Sequence, residues 1–142
     1  MKRKVWSLVA VLVGAVMLTA CAPQRAAEAA KDQAGLIEAL RAGKATVEMG
    51  EVVEQAFFTV KGQIIKVNGA DVQVFEYASA SEMEAEAKLV AADGGSIGTS
   101  MVMWMATPHF FKAGRTLVLY VGDDSAVLDL LKGALGPQFA GR

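Results

Sequence analysis

The sequence predicts an α+β domain: a mostly antiparallel sheet with helices packed on one face, built from two β-β-α units after an N-terminal helix. Three observations lead there. Asn68-Gly69 stands between two strand-like runs, 63–67 and 70–77, and Asn-Gly is the preferred pair for a two-residue hairpin turn. A capped helical segment with an apolar stripe follows that strand pair. A second strand pair leads in the same way into a helix with Val127, Leu128, Leu131 and Leu135 at helical spacing.

Taken in order, Leu36, Ile37 and Leu40 precede Gly43 and predict an amphipathic helix from about residue 33 to 42. Residues 44–49 read as a short strand ended by Gly50, and 52–60 as an apolar segment extended around Phe57, Phe58 and Val60. In the hairpin, a two-residue turn sets Val67 opposite Ala70, Lys66 opposite Asp71 and Ile65 opposite Val72. One face then carries Ile65, Val67, Val72 and Val74, and the cross-strand pair Lys66–Asp71 supports that register. Ser81 and Glu84 fit a capping box, Glu84 and Lys88 an i,i+4 pair, and Met83, Ala87 and Val90 an inner stripe that ends before Asp93-Gly94-Gly95. Strands at 99–106 and 116–121, joined through 107–115, complete the second pair. Asp123 or Asp124 caps the last helix, and Gly136-Pro137 stops it.

The N-terminal end has a different character. Lys2, Arg3 and Lys4 precede residues 5–20, which are apolar, uncharged and end in small residues, the pattern of a secretory signal. Sixteen residues fall short of the roughly 20 that a spanning helix needs. The run closes on Leu18-Thr19-Ala20-Cys21, which resembles the bacterial lipobox: Leu three before the Cys, small residues, then the Cys. The resemblance covers the first 21 residues. It implies that residues 1–20 are a lipoprotein signal peptide and that the Cys21 thiol takes a diacylglyceryl group, with acyl chains such as palmitate. It also implies a protein held on the extracytoplasmic side of a cell membrane or outer membrane, and Ala22 in place of Asp favours the outer one. Two or more acyl chains, at about 0.8 kcal/mol per buried CH₂, anchor a protein stably without a spanning helix. Residues 21–33 then form the lipidated Cys and a tether, and 34–142 a single α+β domain.

Charge and cysteine usage narrow the function classes. Loss of Lys2, Arg3 and Lys4 with the signal takes the formal net charge from −1 to −4, so no basic surface remains to track phosphates and nucleic acid is excluded as a partner. Cys21 is the only cysteine, so an internal disulfide is excluded. His109 is the only histidine, and no Gly-x-Ser-x-Gly elbow accompanies it. Residues 93–98, rich in glycine, lack the spacing of a phosphate cradle and lead from a helix into a strand. Glu82, Glu84 and Glu86 read as the solvated start of a helix.

Two constellations remain. On a strand, Met101, Met103 and Met105 share one side, and soft thioethers suit Cu(I), with His109 four residues beyond as a fourth metal ligand. An ordinary core stripe under a helix is the reading those three side chains favour, and Pro108 breaks the strand before His109. Trp104, Phe110 and Phe111 are candidates for a partner-binding surface, since aromatics concentrate at interfaces, and they suit the core at least as well. The sequence reading is therefore an envelope lipoprotein without a catalytic set or cofactor, acting as a binding or assembly module for an envelope protein or small ligand. Its alternative is an extracytoplasmic Cu(I)-binding protein.

Overall fold

The computed structural model describes residues 30–142. Helix α1 (Gln33–Ala42) leads into strands β1 (Val47–Val53), β2 (Gly62–Val67) and β3 (Ala70–Glu76), then helix α2 (Ala80–Ala87). Two short strands follow, β4 (Ser96–Ile97) and β5 (Ser100–Met101), and then β6 (Pro108–Ala113), β7 (Thr116–Val121), α3 (Ser125–Leu135) and β8 (Ala140–Gly141). Six strands form one antiparallel sheet in the order β1-β2-β3-β7-β6-β8, and β4 pairs with β5 in a separate ribbon. The fold is α+β, as the sequence predicts.

The β2–β3 hairpin has the predicted register: Val67 opposes Ala70, Lys66 opposes Asp71 and Ile65 opposes Val72. Asn68 and Gly69 take φ values of 51° and 88°, the left-handed pair that a type I′ turn requires. Asn68 also ties the turn to the start of β1. Its backbone N–H donates to the Thr46 carbonyl, and its Oδ1 accepts from the Thr46 N–H at 2.9 Å. β1 is an edge strand with a bulge between Met49 and Val52, where the Gln63 amide donates to the carbonyl oxygens of Gly50 and Glu51. A bulged, irregular edge discourages pairing with another chain.

The helices do not share one face, and here the sequence reading is corrected. Side chains alternate along a strand, so Val74 of β3 and Val118 of β7 point one way while Phe75, Leu117 and Leu119 point the other. The first side is covered by Leu36 and Leu40 of α1 with Val127, Leu131 and Leu135 of α3. The second is covered by Met83 and Ala87 of α2, together with Val90, Ile97, Phe58 and Trp104 from the connections. The two β-β-α units are present, but their helices lie on opposite sides of the sheet. The reason is legible in β6 and β7, whose near-continuous apolar runs are those of strands buried on both faces.

Four local expectations shift as well. The predicted tether, residues 21–33, is folded by its end: Ala30 is fully buried, the Lys31 carbonyl accepts from the Arg115 N–H, and Asp32 caps α1 through the Gly35 N–H at 2.8 Å. The strand expected at 44–49 begins at Val47, because Lys44 takes φ 67° in the turn after α1. Ser79, not Ser81, caps α2, accepting from the Glu82 N–H at 3.2 Å, so the same S-x-x-E pattern begins two residues earlier. Glu84 pairs with Lys112 of β6 at 2.6 Å rather than with Lys88.

The largest shift concerns the strand expected at 99–106. Gly114 and Arg115 form a two-residue turn, with Gly114 at φ 56°, and this sets Ala113 opposite Thr116 and Pro108 opposite Val121. β7 therefore takes 108–113 as its partner, and most of 99–106 is left outside the sheet. Pro108 starts β6, a strand position that tolerates the missing N–H. Asp124 caps α3, accepting from the Ala126 and Val127 N–H groups, and Gly136 ends it.

Candidate functional site

Cys21 and the segment expected to be a signal peptide lie outside the described residues, so the site that can be built from geometry is the loop between β5 and β6. Exposure alternates along it. Met101, Met103 and Met105 are 91%, 97% and 101% exposed, while Val102 and Trp104 between them are half-buried. The inward residues hold the backbone in place. The Val102 N–H donates to the Gly95 carbonyl at 3.1 Å, and the Trp104 indole N–H donates to the Gly94 carbonyl at 2.7 Å. The Trp104 ring meets Phe57 and Phe110 edge-on, with centroids 6.1 and 5.9 Å apart. Met101 is also paired with Ser96 in the β4–β5 ribbon. The result is a ridge of three thioethers standing on an aromatic footing.

Such exposure is unusual for a large apolar side chain. Burying a methionine contributes about 1.5–3 kcal/mol, and the ridge forgoes that three times over. The other large hydrophobic side chains exposed among the described residues, Met49, Val52 and Leu89, are at 49–63%. The expected buried methionine stripe is thereby overturned. A different methionine, Met83 of α2, does fill the core.

His109 does not join the ridge. It lies on β6 next to Phe110, so its side chain is on the other face of the sheet, stacked on Tyr120 with centroids 6.1 Å apart. The ring is 5% exposed, and its Nδ1 is 2.8 Å from the Gln138 Oε1, to which it donates. The sheet thus separates His109 from Met101, Met103 and Met105, and the four-ligand set read from the sequence is not brought together. Phe110 and Phe111 are fully buried, one in each core, so neither is a contact surface. Of the three aromatic candidates only Trp104 reaches solvent, and it serves the loop as a pin.

A cleft of about 430 Å³ opens beside the ridge, lined by Asp93, Val102, Trp104, Thr107, Asp123 and Arg142. Sequence reading missed it because residues nearly fifty positions apart converge only through strand pairing, β6 with β7 for Asp123 and β6 with β8 for Arg142. The one local signal was Asp93 in a glycine-rich turn, where its Oδ1 accepts from the Gly95 N–H at 2.9 Å. The glycine-rich turn itself receives the Trp104 and Val102 donors through its carbonyl oxygens and so offers acceptors where a phosphate cradle offers N–H groups. Of the helix acids, Glu84 is engaged by Lys112, and Glu86 places a charge near the Tyr77 hydroxyl.

Among the described residues no group of three His, Cys, Asp or Glu could hold a metal ion, and no helix is long and apolar enough to cross a membrane. Comparison with protein-family models, with curated proteins and with solved structures finds no match for this chain, so its site is read from its own geometry.

Proposed function

We propose that this chain is an extracytoplasmic lipoprotein, held at a membrane by lipid on Cys21, whose α+β domain is a non-catalytic binding module. Two features support the reading, one for each half of it. Leu18-Thr19-Ala20-Cys21 supplies the anchor motif at the end of an uncharged apolar run. The methionine ridge supports a binding role: three apolar side chains are held in solvent by a loop whose inner residues are tied to the core, and exposed apolar patches of this kind mark interaction sites.

The arrangement of the two is consistent. Lys31, where the chain enters the fold, packs against Gly114 at one end of β6, and the methionine loop leads into Pro108 at the other. Six strand residues separate these ends by roughly 20 Å. Residues 22–29 reach at most about 30 Å, enough for either end of β6 to face a membrane that holds Cys21.

The anchor is tested by feeding cells an alkyne analogue of palmitate and following the full-length chain. The expected result is a labelled protein in the membrane fraction that loses both label and membrane association in a Cys21→Ser variant. Label persisting in that variant, or none in the wild type, would exclude this anchor.

A further inference from the structure

We propose that Met101, Met103 and Met105 form a modification site, at which a peroxide-class oxidant adds one oxygen to each sulfur and a dithiol-dependent sulfoxide reductase removes it. This names a means of regulating the ridge, and as regulation it rests on the reading of that ridge as an interaction surface.

The chemistry asks the protein for an accessible sulfur lone pair and for nothing else. The loop provides one three times over, on side chains at least 91% exposed. Ala106, also exposed on this loop, has no side-chain atom that a peroxide attacks. The thioethers react one at a time, so their sulfurs have no need to meet. In each step a sulfur lone pair attacks one peroxide oxygen and the O–O bond breaks. The departing hydroxide takes the proton of the transferred oxygen and leaves as water. Sulfur is oxidised by two electrons and the peroxide is reduced by two, giving methionine sulfoxide. In the return step two thiols supply two electrons, the oxygen leaves as water and the thiols end as a disulfide.

The fold makes the reaction selective. Met83 of α2 is 2% exposed within the second core, where an oxidant reaches it only when the domain opens. Met49, on the edge strand β1, is intermediate at 56%. Attack therefore falls first on the ridge. The fold also tolerates the product. Val102 and Trp104 hold the loop through the carbonyl oxygens of Gly95 and Gly94 and through the ring contacts of Trp104, and neither carries a sulfur. New oxygen atoms are thus added in solvent and not in a core.

What changes is the surface. Each thioether becomes a polar sulfoxide that accepts hydrogen bonds, so three apolar side chains become three polar ones. An apolar partner that covered the oxidised ridge would bury those acceptors without donors, which opposes its binding. Oxidation switches the ridge while the domain stands.

The test uses the full-length chain with Cys21→Ser, purified in detergent, so that no thiol competes for the oxidant. The chain is treated with hydrogen peroxide, sampled over time, digested with trypsin and read by mass spectrometry. Cleavage after lysine separates the methionines: residues 45–61 carry Met49, 67–88 carry Met83 and 89–112 carry the whole ridge. Expected are three oxygens on 89–112, gained at least about 10-fold faster than the one on 67–88, with 45–61 between them. The chain with three sulfoxides is expected to keep its melting temperature. Methionine sulfoxide reductases of both stereospecificities, with dithiothreitol, are expected to restore its mass. Similar rates for 89–112 and 67–88 overturn the proposal. So does an oxidised chain that has lost its cooperative melt, or sulfoxides that both reductases leave in place. With Met101, Met103 and Met105 all replaced by Leu, 89–112 is expected to stay unmodified. Oxygen gained there at the parent's rate would place the reaction on Trp104 and overturn the assignment. No partner and no lipid anchor take part, so failure here is distinct from failure of the anchor or of the ridge to bind.

Discussion

Tyr77 follows β3, only 2% exposed, and its hydroxyl has no hydrogen-bond partner among the described residues. Burial, and then the nearby Glu86 carboxylate, push its phenol well above the ordinary 10.0. The consequence for stability follows from proton counting. Below about pH 10 both folded and unfolded chains keep the phenolic proton, so the contribution is fully present. Above it the unfolded chain releases the proton while the folded chain retains it, and stability falls by up to about 1.4 kcal/mol per pH unit until the folded phenol ionises. Tyr77→Phe is expected to raise the unfolding free energy by about 1 kcal/mol at neutral pH, since a buried orphan hydroxyl is removed. It should also flatten the loss above about pH 10, as measured by denaturant melts across that range. A variant that is less stable at neutral pH would show that the hydroxyl has a partner.

At the scale of single elements, the ends of the helices are where sequence and structure meet most directly. α2 offers two serines, and only one does the capping: Ser79 accepts from the Glu82 N–H, while Ser81 is exposed within the helix. Ser79→Ala is expected to cost about 1 kcal/mol of stability and Ser81→Ala less than about 0.5 kcal/mol, read from urea midpoints. Equal costs would move the cap to Ser81. Both positions fit S-x-x-E, so pattern alone does not choose between them. The choice is made by β3, which ends at Glu76 and turns the chain so that Ser79 takes the extended backbone of a cap. The start of α1 is likewise settled from a distance. Glu76 accepts from the Gln33 N–H at 2.8 Å and holds the Arg115 guanidinium at 2.6 Å, joining helix, sheet and the β6–β7 turn. A reading confined to neighbours in the chain assigns residues 21–33 to a tether.

For the whole molecule, the decisive feature is one sheet with a core on each side. Leu131 of α3 and Phe110 of β6 are both fully buried, in different cores, and the strands between them are shared. Truncation on either side therefore weakens the same sheet. Leu131→Ala is expected to cost about 2–5 kcal/mol and Phe110→Ala about 3–5 kcal/mol, each still melting in a single cooperative transition by circular dichroism and by tryptophan fluorescence. Separate transitions for the two probes would mean that the cores unfold independently. The Phe110 variant has a further value, because it removes a support of Trp104 and so loosens the footing of the methionine ridge.

Some of this protein was determined by the sequence alone, and the boundary has a physical cause. The β2–β3 register, the cap of α3, and the apolar stripes of all three helices depend on groups within a few residues of one another, so Asn68-Gly69 or Asp124 carries its consequence locally. The string Leu18-Thr19-Ala20-Cys21, on which the proposed anchor rests, is equally local. Burial is not local. Residues 99–106 and 108–113 are both apolar enough to pair with β7, and the tight turn at Gly114-Arg115 selects the second. That one selection carries Phe110 and Phe111 into the cores, turns His109 to the face away from the loop, and leaves Met101, Met103 and Met105 in solvent. Residue types that could ligate were visible in the chain; which of them stand together was decided by strand pairing, because a sheet puts neighbouring residues on opposite sides and distant ones on the same side.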